Sequence, residues 1–298
     1  TTFDAAAMRE FQPTQVQDLF DQVPGMSARN FGLAGVADSF TIRGFGGGGH
    51  GGDLGVVLDG IPLNEAMSHA DGYVDLNVVI PVEVRAMTVY KGPVSALYGN
   101  FNRGGLLRID TRRSGDYGIV DLNTGSNGLL DVQGAWGADV AGGQRVDLAA
   151  QHFRSDGFRP RSDSDRTTLA GSWSVPVGER TRVGVSGRWH TADSRNASYL
   201  TEAQYRVDPY GIDPGVANDG AEKDFAIARL DVDHEVGESI KLLGFAYTTQ
   251  QDFSRWFSRP SGGAWRQREE TYDREVYGAG LSLNARSTVG GVPVSWVA

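Results

Sequence analysis

Two groups of side chains in this sequence have the chemistry to hold a ligand. The first combines His50, in the glycine-rich run 46–52, with Glu65, His69 and Asp71. Imidazole and carboxylate groups can contact a metal chelate or bind a metal directly. Solvated loop side chains would show the same residues, so both interpretations stay open.

The second group is cationic and aromatic. Arg255, Trp256, Phe257 and Arg259 lie close together, and Trp265 follows. Guanidinium groups and aromatic rings can stack on a planar ligand such as a catechol or a sugar, but they can equally pack one loop on another.

No known catalytic arrangement accompanies these groups, so we expect neither an enzyme nor a cofactor. The chain has no Ser-His-Asp order and no zinc-ligand spacing, and no Lys with Ser or Thr follows the glycine run. The net charge of −9 argues against nucleic acid as a partner, because phosphate neutralisation needs clustered Lys and Arg.

Composition favours a β architecture. The chain has 41 Gly but only 11 Pro and no Cys, which indicates many turns and no disulfide framework. It contains no apolar run of about 18 residues, the length that a membrane-spanning helix needs. A spanning strand needs only about 9–11 residues with alternate ones apolar, so a barrel stays possible.

The pattern before about residue 115 predicts a small α+β domain. A helix is expected after a Thr14 cap, with Pro24 and Gly25 ending it. The other predicted elements are strands at 39–44 and 84–90, a hairpin over 55–63 that turns at Asp59 and Gly60, and a helical turn over 94–98.

Downstream, successive strands alternate apolar and polar residues, which predicts one dry face and one wet face. We assign Val183, Val185, Leu230, Phe245 and Tyr247 to the lipid-facing side, and Arg182, Arg188, Arg229 and Asp231 to the lumen. Replacement of Arg188 by Ser is then expected to be mild. Trp136, Trp173 and Trp189 are expected in interfacial girdles, with a sugar platform as the alternative.

Connections alternate between short and long, as in an up-and-down membrane barrel. Tight turns are expected near 141–143, 178–180, 237–239 and 289–291, and long outer loops over 156–165, 194–221 and 253–271.

Three motifs occur in the order and spacing of the plug of TonB-dependent receptors. They are TIRGF at 41–45, VLDGIP at 57–62 and VYKGPVSALYG at 89–99. In addition, VPGM at 23–26 resembles the family's VPGV step, and GGLLRI at 104–109 resembles its GGVINI exit strand. Over residues 10–113 the chain therefore resembles the N-terminal portion of a TonB-dependent receptor or transporter.

The resemblance implies an all-β transmembrane antiparallel β-barrel with an N-terminal α+β plug domain. We expect a plug domain at 1–115 and about nine barrel strands at 116–298. Barrels with such a plug have about 22 strands, so the remaining strands are expected from the rest of the chain or from a partner chain. The TonB box and the first part of the plug are expected to be missing from residues 1–115, since nothing before Phe11 resembles the box.

The family locks plug to barrel with charges in a strand of the type IERIEVLKGP. Here Ala86 and Thr88 take two of those charged positions. Substitute plug-barrel contacts are expected from plug arginines to barrel aspartates, namely from Arg43, Arg85 and Arg103 to Asp231 or Asp233.

The implied function is TonB-dependent active import across the bacterial outer membrane, in contact with outer-membrane lipid and powered by the TonB-ExbB-ExbD complex. A ferric siderophore is the expected ligand, with cobalamin, another metal chelate or an oligosaccharide as alternatives. An uncoupled structural or adhesive barrel and a soluble β-rich binding protein are the rivals. The expected ligand-binding residues are His50, Glu65, His69, Tyr73, Asn100, Phe101 and Arg103 in exposed loops at the apex of the plug, and Trp256 and Trp265 in an outer loop.

Overall fold

The computed structural model describes residues 1–29, 39–46, 52–66, 70–95, 98–216, 218–262 and 264–297. Short mixed elements come first, and a long antiparallel meander follows them. Among these residues no helix has the length and apolarity to cross a membrane.

The first elements form a plug region of α+β character. In chain order they are β1 (Thr2–Asp4), α1 (Ala5–Phe11), a 3-10 helix (Val16–Gln22), β2 (Met26–Arg29), β3 (Ser39–Ile42), β4 (Leu54–Leu58), β5 (Ile61–Pro62), 3-10 turns at Leu76–Val78 and Pro81–Glu83, β6 (Val84–Lys91) and β7 (Gly105–Thr111). Five strands form a sheet in the order β1-β6-β7-β4-β5, and β2 pairs with β3.

The helix predicted after Thr14 is a 3-10 helix whose cap is Gln15. The Asp18 carboxylate accepts hydrogen bonds from the Gln15 backbone N–H at 3.2 Å and from the Thr14 hydroxyl at 3.3 Å. Thr14, the residue before the cap, thus supports it through Asp18. The apolar face of this helix is buried as predicted, through Val16, Leu19, Phe20 and Val23.

The predicted hairpin of β4 and β5 turns at Asp59 and Gly60. Both residues have positive φ, 49° and 87°, as a tight two-residue turn requires. The Asp59 carboxylate accepts hydrogen bonds from the Thr111 N–H at 2.8 Å and from Arg113 at 3.0 Å. These bonds tie the turn to the end of β7. The helical turn expected over 94–98 includes residues outside the described ones.

Nine antiparallel strands follow, each paired with the next along the chain, and we call this sheet the wall. The strands are β8 (Tyr117–Thr124), β9 (Leu130–Val140), β10 (Gln144–Ser155), β11 (Ser164–Val177), β12 (Thr181–Arg195), β13 (Gly220–Val236), β14 (Ile240–Ser261), β15 (Ala264–Val289) and β16 (Val292–Val297). Their number and order confirm the predicted partial barrel.

The predicted tight turns and the first two long loops are confirmed. The loop between β12 and β13 contains α2 (Glu202–Val207) and a 3-10 turn at Pro214–Val216. The loop predicted over 253–271 is wrong, because β14 and β15 stay paired from Arg255 with Glu270 up to Ser261 with Ala264. Both faces of this part of the hairpin carry polar residues, so the sequence shows no alternation of apolar and polar residues. The strands still pair through their backbones, because a hairpin with water on both sides needs no apolar face.

Alternation sorts the wall residues as predicted on β12 and β13. Val185 and Leu230 are each 45% exposed on the outward face, whereas Arg188 points inward and is buried. On β14 the assignment is wrong, because Tyr247 pairs with Arg229 and Phe245 pairs with Asp231. Opposite residues of an antiparallel pair share a face, so both rings lie on the lumen side. There the Arg229 guanidinium lies over the Phe245 ring at 4.4 Å.

Candidate functional site

Three cations on the inner face of the wall form ion pairs with carboxylates of the plug region. These pairs join Glu83 to Arg188 at 2.5 Å, Asp75 to Lys223 at 3.0 Å and Glu65 to Arg274 at 3.1 Å. In each pair the carboxylate belongs to the plug region and the cation to the wall. Every carboxylate is buried, and the most exposed cation, Arg274, is only 16% exposed. We call these three pairs the latch.

The plug carboxylates of the latch differ in acidity. Burial raises the pKa of Asp75, but the charge of Lys223 and hydrogen bonds that include one from the Asn77 N–H outweigh it and lower the pKa to about 2. At Glu83 burial outweighs the attraction of Arg188, so the pKa of this carboxyl is raised above its ordinary value. Asp75 therefore keeps its negative charge to a lower pH than Glu83 does.

Wall side chains also donate hydrogen bonds to carbonyl groups of the plug region. The bonds run from Gln133 to Pro13 at 3.2 Å, from Gln151 and Arg166 to Thr14 at 3.0 and 3.2 Å, from Arg188 to Val78 at 2.7 Å, and from Arg229 to Asp59 at 2.7 Å. These carbonyl groups lie in turns and loops. The wall therefore supplies donors that regular secondary structure would otherwise provide.

The expected pairs between plug arginines and barrel aspartates are replaced by local ones. Within the plug region Arg85 pairs with Asp110 at 3.3 Å, and Arg103 pairs with Asp53. The Arg43 backbone N–H donates to the Gly25 carbonyl at 2.7 Å.

The two barrel aspartates are paired inside the wall. Asp231 lies 2.5 Å from Arg229 on the same strand, and Asp233 lies 3.2 Å from Lys241 on β14. Each aspartate thus has a closer cation than any plug arginine. The observed latch also reverses the expected polarity, because the acids are on the plug region and the bases are on the wall.

Tyr73 and Glu65 lie in this interface and not at an exposed plug apex. Tyr73 is 1% exposed and packs with Ala221 and Phe253 of the wall. Phe253 in turn stacks on Tyr272, with ring centroids 6.0 Å apart. The structure therefore places Tyr73 as a packing anchor, the role that aromatic loop residues often take.

The other expected apex residues are accessible. Asn100 is exposed, and Arg103 is 72% exposed beside its partner Asp53. Phe101 is half-buried with a φ of 67°, and its ring lies so close to Gly72 that a side chain on Gly72 would clash with it. His50 and His69 lie outside the described residues.

On the lumen face of the hairpin of β14 and β15, between Phe253 and the tip of the hairpin, a row of cations surrounds one aromatic ring. We call Arg255, Phe257, Arg259, Arg266 and Arg268 the rim row. Arg255 and Arg259 lie over the Phe257 ring at 4.7 and 4.8 Å. Arg268 is opposite Phe257, and Arg266 is opposite Arg259, so all five side chains share one face.

Comparison with known proteins identifies this architecture. Residues 1–106 match the sequence model of the family described as TonB-dependent Receptor Plug Domain. This chain thus carries, at its N-terminus, the plug domain of TonB-dependent receptors. It is 24% identical over an alignment of 309 residues to the vitamin B12 transporter BtuB of Vibrio vulnificus (strain CMCP6), covering 95% of this chain and 50% of that protein.

Solved receptor structures share the fold. The unliganded ferric citrate transporter FecA superposes with a TM-score of 0.82 at 18% identity, covering 97% of this chain and 44% of that one. The siderophore receptor PiuA of Acinetobacter baumannii has a TM-score of 0.74 at 17% identity, with coverages of 97% and 43%. The ferric yersiniabactin uptake receptor FyuA of Yersinia pestis has 0.72 at 14%, with coverages of 100% and 51%.

The chain thus spans about half the length of these relatives. The TonB-dependent receptor family comprises transporters and receptors, not enzymes. Within the described residues no group of three or more His, Asp or Glu side chains could hold a metal ion.

Trp256 and Trp265 lie on the face opposite the rim row. Trp256 alternates with Arg255 and Phe257 on β14, so its side chain points away from the lumen. Trp265 is opposite Pro260, and its ring lies against Gly215 of the loop between β12 and β13. Both tryptophans were expected to contact ligand, and their side chains point away from the lumen.

Sequence reasoning missed Arg266 and Arg268 for a definite reason. If residues 253–271 form a loop, the sequence gives no rule for which of their side chains lie next to each other. In a hairpin, the odd-numbered residues of β14 are opposite the even-numbered residues of β15, and their side chains share one face of the sheet. The alternation of Phe253, Arg255, Phe257 and Arg259 was the available signal.

Proposed function

We propose that this chain is part of a receptor for TonB-dependent active import of a scarce ligand, a ferric siderophore, across the bacterial outer membrane. Residues 1–115 are its plug domain and 116–298 the first part of its barrel. The TonB-ExbB-ExbD complex supplies the force that displaces the plug, and the remaining strands complete the barrel.

The latch is the observation that carries this proposal. A buried ion pair adds little net stability, because desolvation of both charges offsets most of their attraction. When plug and wall separate into a water-filled lumen, both ions recover their hydration. An interface held in this way can therefore open and close again, which a purely apolar interface of similar area would resist.

The outward face of the wall supports a location in lipid. Val185, Leu230, Trp136, Trp173 and Trp189 are each 44–45% exposed there. Apolar side chains with tryptophans on the outward face are typical of outer-membrane barrels. The lumen face, by contrast, carries the three cations of the latch.

The relatives support the ligand class. FecA, PiuA and FyuA are described as a ferric citrate transporter, a siderophore receptor and a ferric yersiniabactin uptake receptor. Cobalamin is the second candidate ligand, because the relative in Vibrio vulnificus is a vitamin B12 transporter. Both ligands would be imported by the same plug displacement.

The test is uptake by cells that express the full-length receptor and lack their own receptors. Radiolabelled ferric siderophores and cobalamin are offered to otherwise identical strains with and without TonB. We expect uptake of a ferric siderophore that disappears without TonB, while surface binding persists. Binding with no TonB-dependent uptake of any ligand would instead identify an uncoupled barrel.

A further inference from the structure

The rim row carries more positive charge than its surroundings neutralise. Arg255 pairs with Glu270 at 2.5 Å. Arg259, Arg266 and Arg268 are exposed, and among the described residues none of the three forms an ion pair with a carboxylate. This excess contrasts with the net charge of −9 of the whole chain.

The arrangement of these cations is unfavourable for the protein alone. Arg259 and Arg266 are directly opposite each other on paired strands, and like charges in that position repel. The Phe257 ring between the guanidinium groups is only half-buried. An anion placed between the arginines would remove the repulsion, and a planar ring could stack on the same surface.

The rim row also lies where a ligand entering from outside would pass. The plug region contacts the wall at Phe253, and Phe257 is four residues further along β14. At about 3.4 Å per residue, the ring lies roughly 14 Å above that contact. It faces the lumen, because it shares the face of Phe253.

We propose that the rim row is a binding site for an anionic chelate with planar aromatic rings, of the catecholate type, held by Arg259, Arg266 and Arg268 with Phe257 as the stacking surface. This inference rests on the proposed import function and names its ligand class. Phosphate groups of lipopolysaccharide are the other abundant anions nearby, but lipid meets the outward face of the wall, whereas the rim row faces the lumen.

The experiment measures binding of iron chelates to the purified full-length receptor. The probes are a negatively charged ferric tris(catecholate), ferric citrate, which is anionic without aromatic rings, and an uncharged ferric trihydroxamate. The variant R259Q/R266Q removes two charges from the rim row. R180Q/R182Q is the matched control, since it removes two charges near the opposite end of the wall. F257L removes the ring and keeps every charge.

We expect R259Q/R266Q to weaken tris(catecholate) binding about tenfold or more, because a hydrogen bond to a charged group contributes on that scale. Trihydroxamate binding and the control variant should be unchanged. F257L should weaken tris(catecholate) binding and leave ferric citrate binding unaltered.

Equal tris(catecholate) affinity of the wild type and R259Q/R266Q would overturn the proposal. Loss of copurified lipopolysaccharide from R259Q/R266Q at unchanged chelate affinity would also overturn it. If the site fails while another ligand is imported with TonB, the import function stands. If charge-selective binding is found without any TonB-dependent uptake, the site stands and import fails.

Discussion

Two regions of one surface use the same kind of residue in different ways. On the lumen face of the wall, Arg188, Lys223 and Arg274 are each opposite a carboxylate of the plug region. Higher on the same face, Arg259 and Arg266 are opposite only each other. The lower cations are therefore committed to the plug, and the upper ones remain available to a ligand. Both regions carry basic side chains, so the difference comes from their surroundings. The lower cations are largely buried against the plug region, whereas the upper ones are exposed and, among the described residues, face no plug carboxylate.

The largest expected effect is on the lower region. Arg188→Ala leaves Glu83 buried without its cation, which should cost about 3–5 kcal/mol in the free energy of unfolding. For the same reason Arg188→Ser should be severe, in place of the mild effect expected from a lumen position alone. Thermal unfolding of the detergent-purified receptor measures the loss.

Arg259→Ala is the control on the upper region and should change stability by about 0.5 kcal/mol or less. The double change of Glu83→Gln with Arg188→Met should recover much of the loss, because it removes both charges. Similar destabilisation by Arg188→Ala and Arg259→Ala would remove the distinction between the two regions.

The outward face of β12, the strand that carries Arg188, should tolerate a charged residue poorly for another reason. Val185 is on the same strand as Arg188 but on the opposite face. Val185→Arg should cost about 2–4 kcal/mol if this position lies near the bilayer midplane, because lipid cannot solvate the charge. Reversible unfolding in lipid vesicles tests this, with Val185→Leu as the control. Unchanged stability of the Val185→Arg variant would mean that this face does not meet lipid.

Strong acid should weaken the lower region. The pKa of Asp75 is lowered from 3.8 to about 2, so its contribution is fully present above pH 3.8 and is lost as the pH falls from 3.8 to 2. The shift corresponds to about 2 kcal/mol. Unfolding midpoints measured across this range should fall in the wild type and stay flatter in Asp75→Asn. Parallel profiles for the two proteins would contradict this role of Asp75.

Among the ion pairs, the smallest effect is expected at the boundary between the regions. The side chains of Arg255 and Glu270 are 18% and 30% exposed, so water screens much of their attraction. Arg255→Gln should cost about 0–1 kcal/mol, measured by thermal unfolding beside Arg188→Ala. A loss as large as that of Arg188→Ala would place Arg255 with the latch.

Local rules were sufficient for several elements of this protein. Asp59 and Gly60 specify a tight turn, and alternation on β12 separates Val185 from Arg188. The helix α1 was not predicted, because its run of alanines has no apolar period; its Asp4 cap, which accepts from the Ala6 N–H at 2.9 Å, was the missed signal.

The sequence by itself determined the plug motifs, the nine alternating strands and the short turns, because each depends on residues that are close along the chain. Only the tertiary structure decided which charges meet. Glu83 and Arg188 are 105 residues apart, and Asp75 and Lys223 are 148 apart. The same holds for Phe245, whose face follows from its register with Asp231 on β13. A side chain's partner depends on how separate strands align and on which surface docks against them, and no local pattern contains that information.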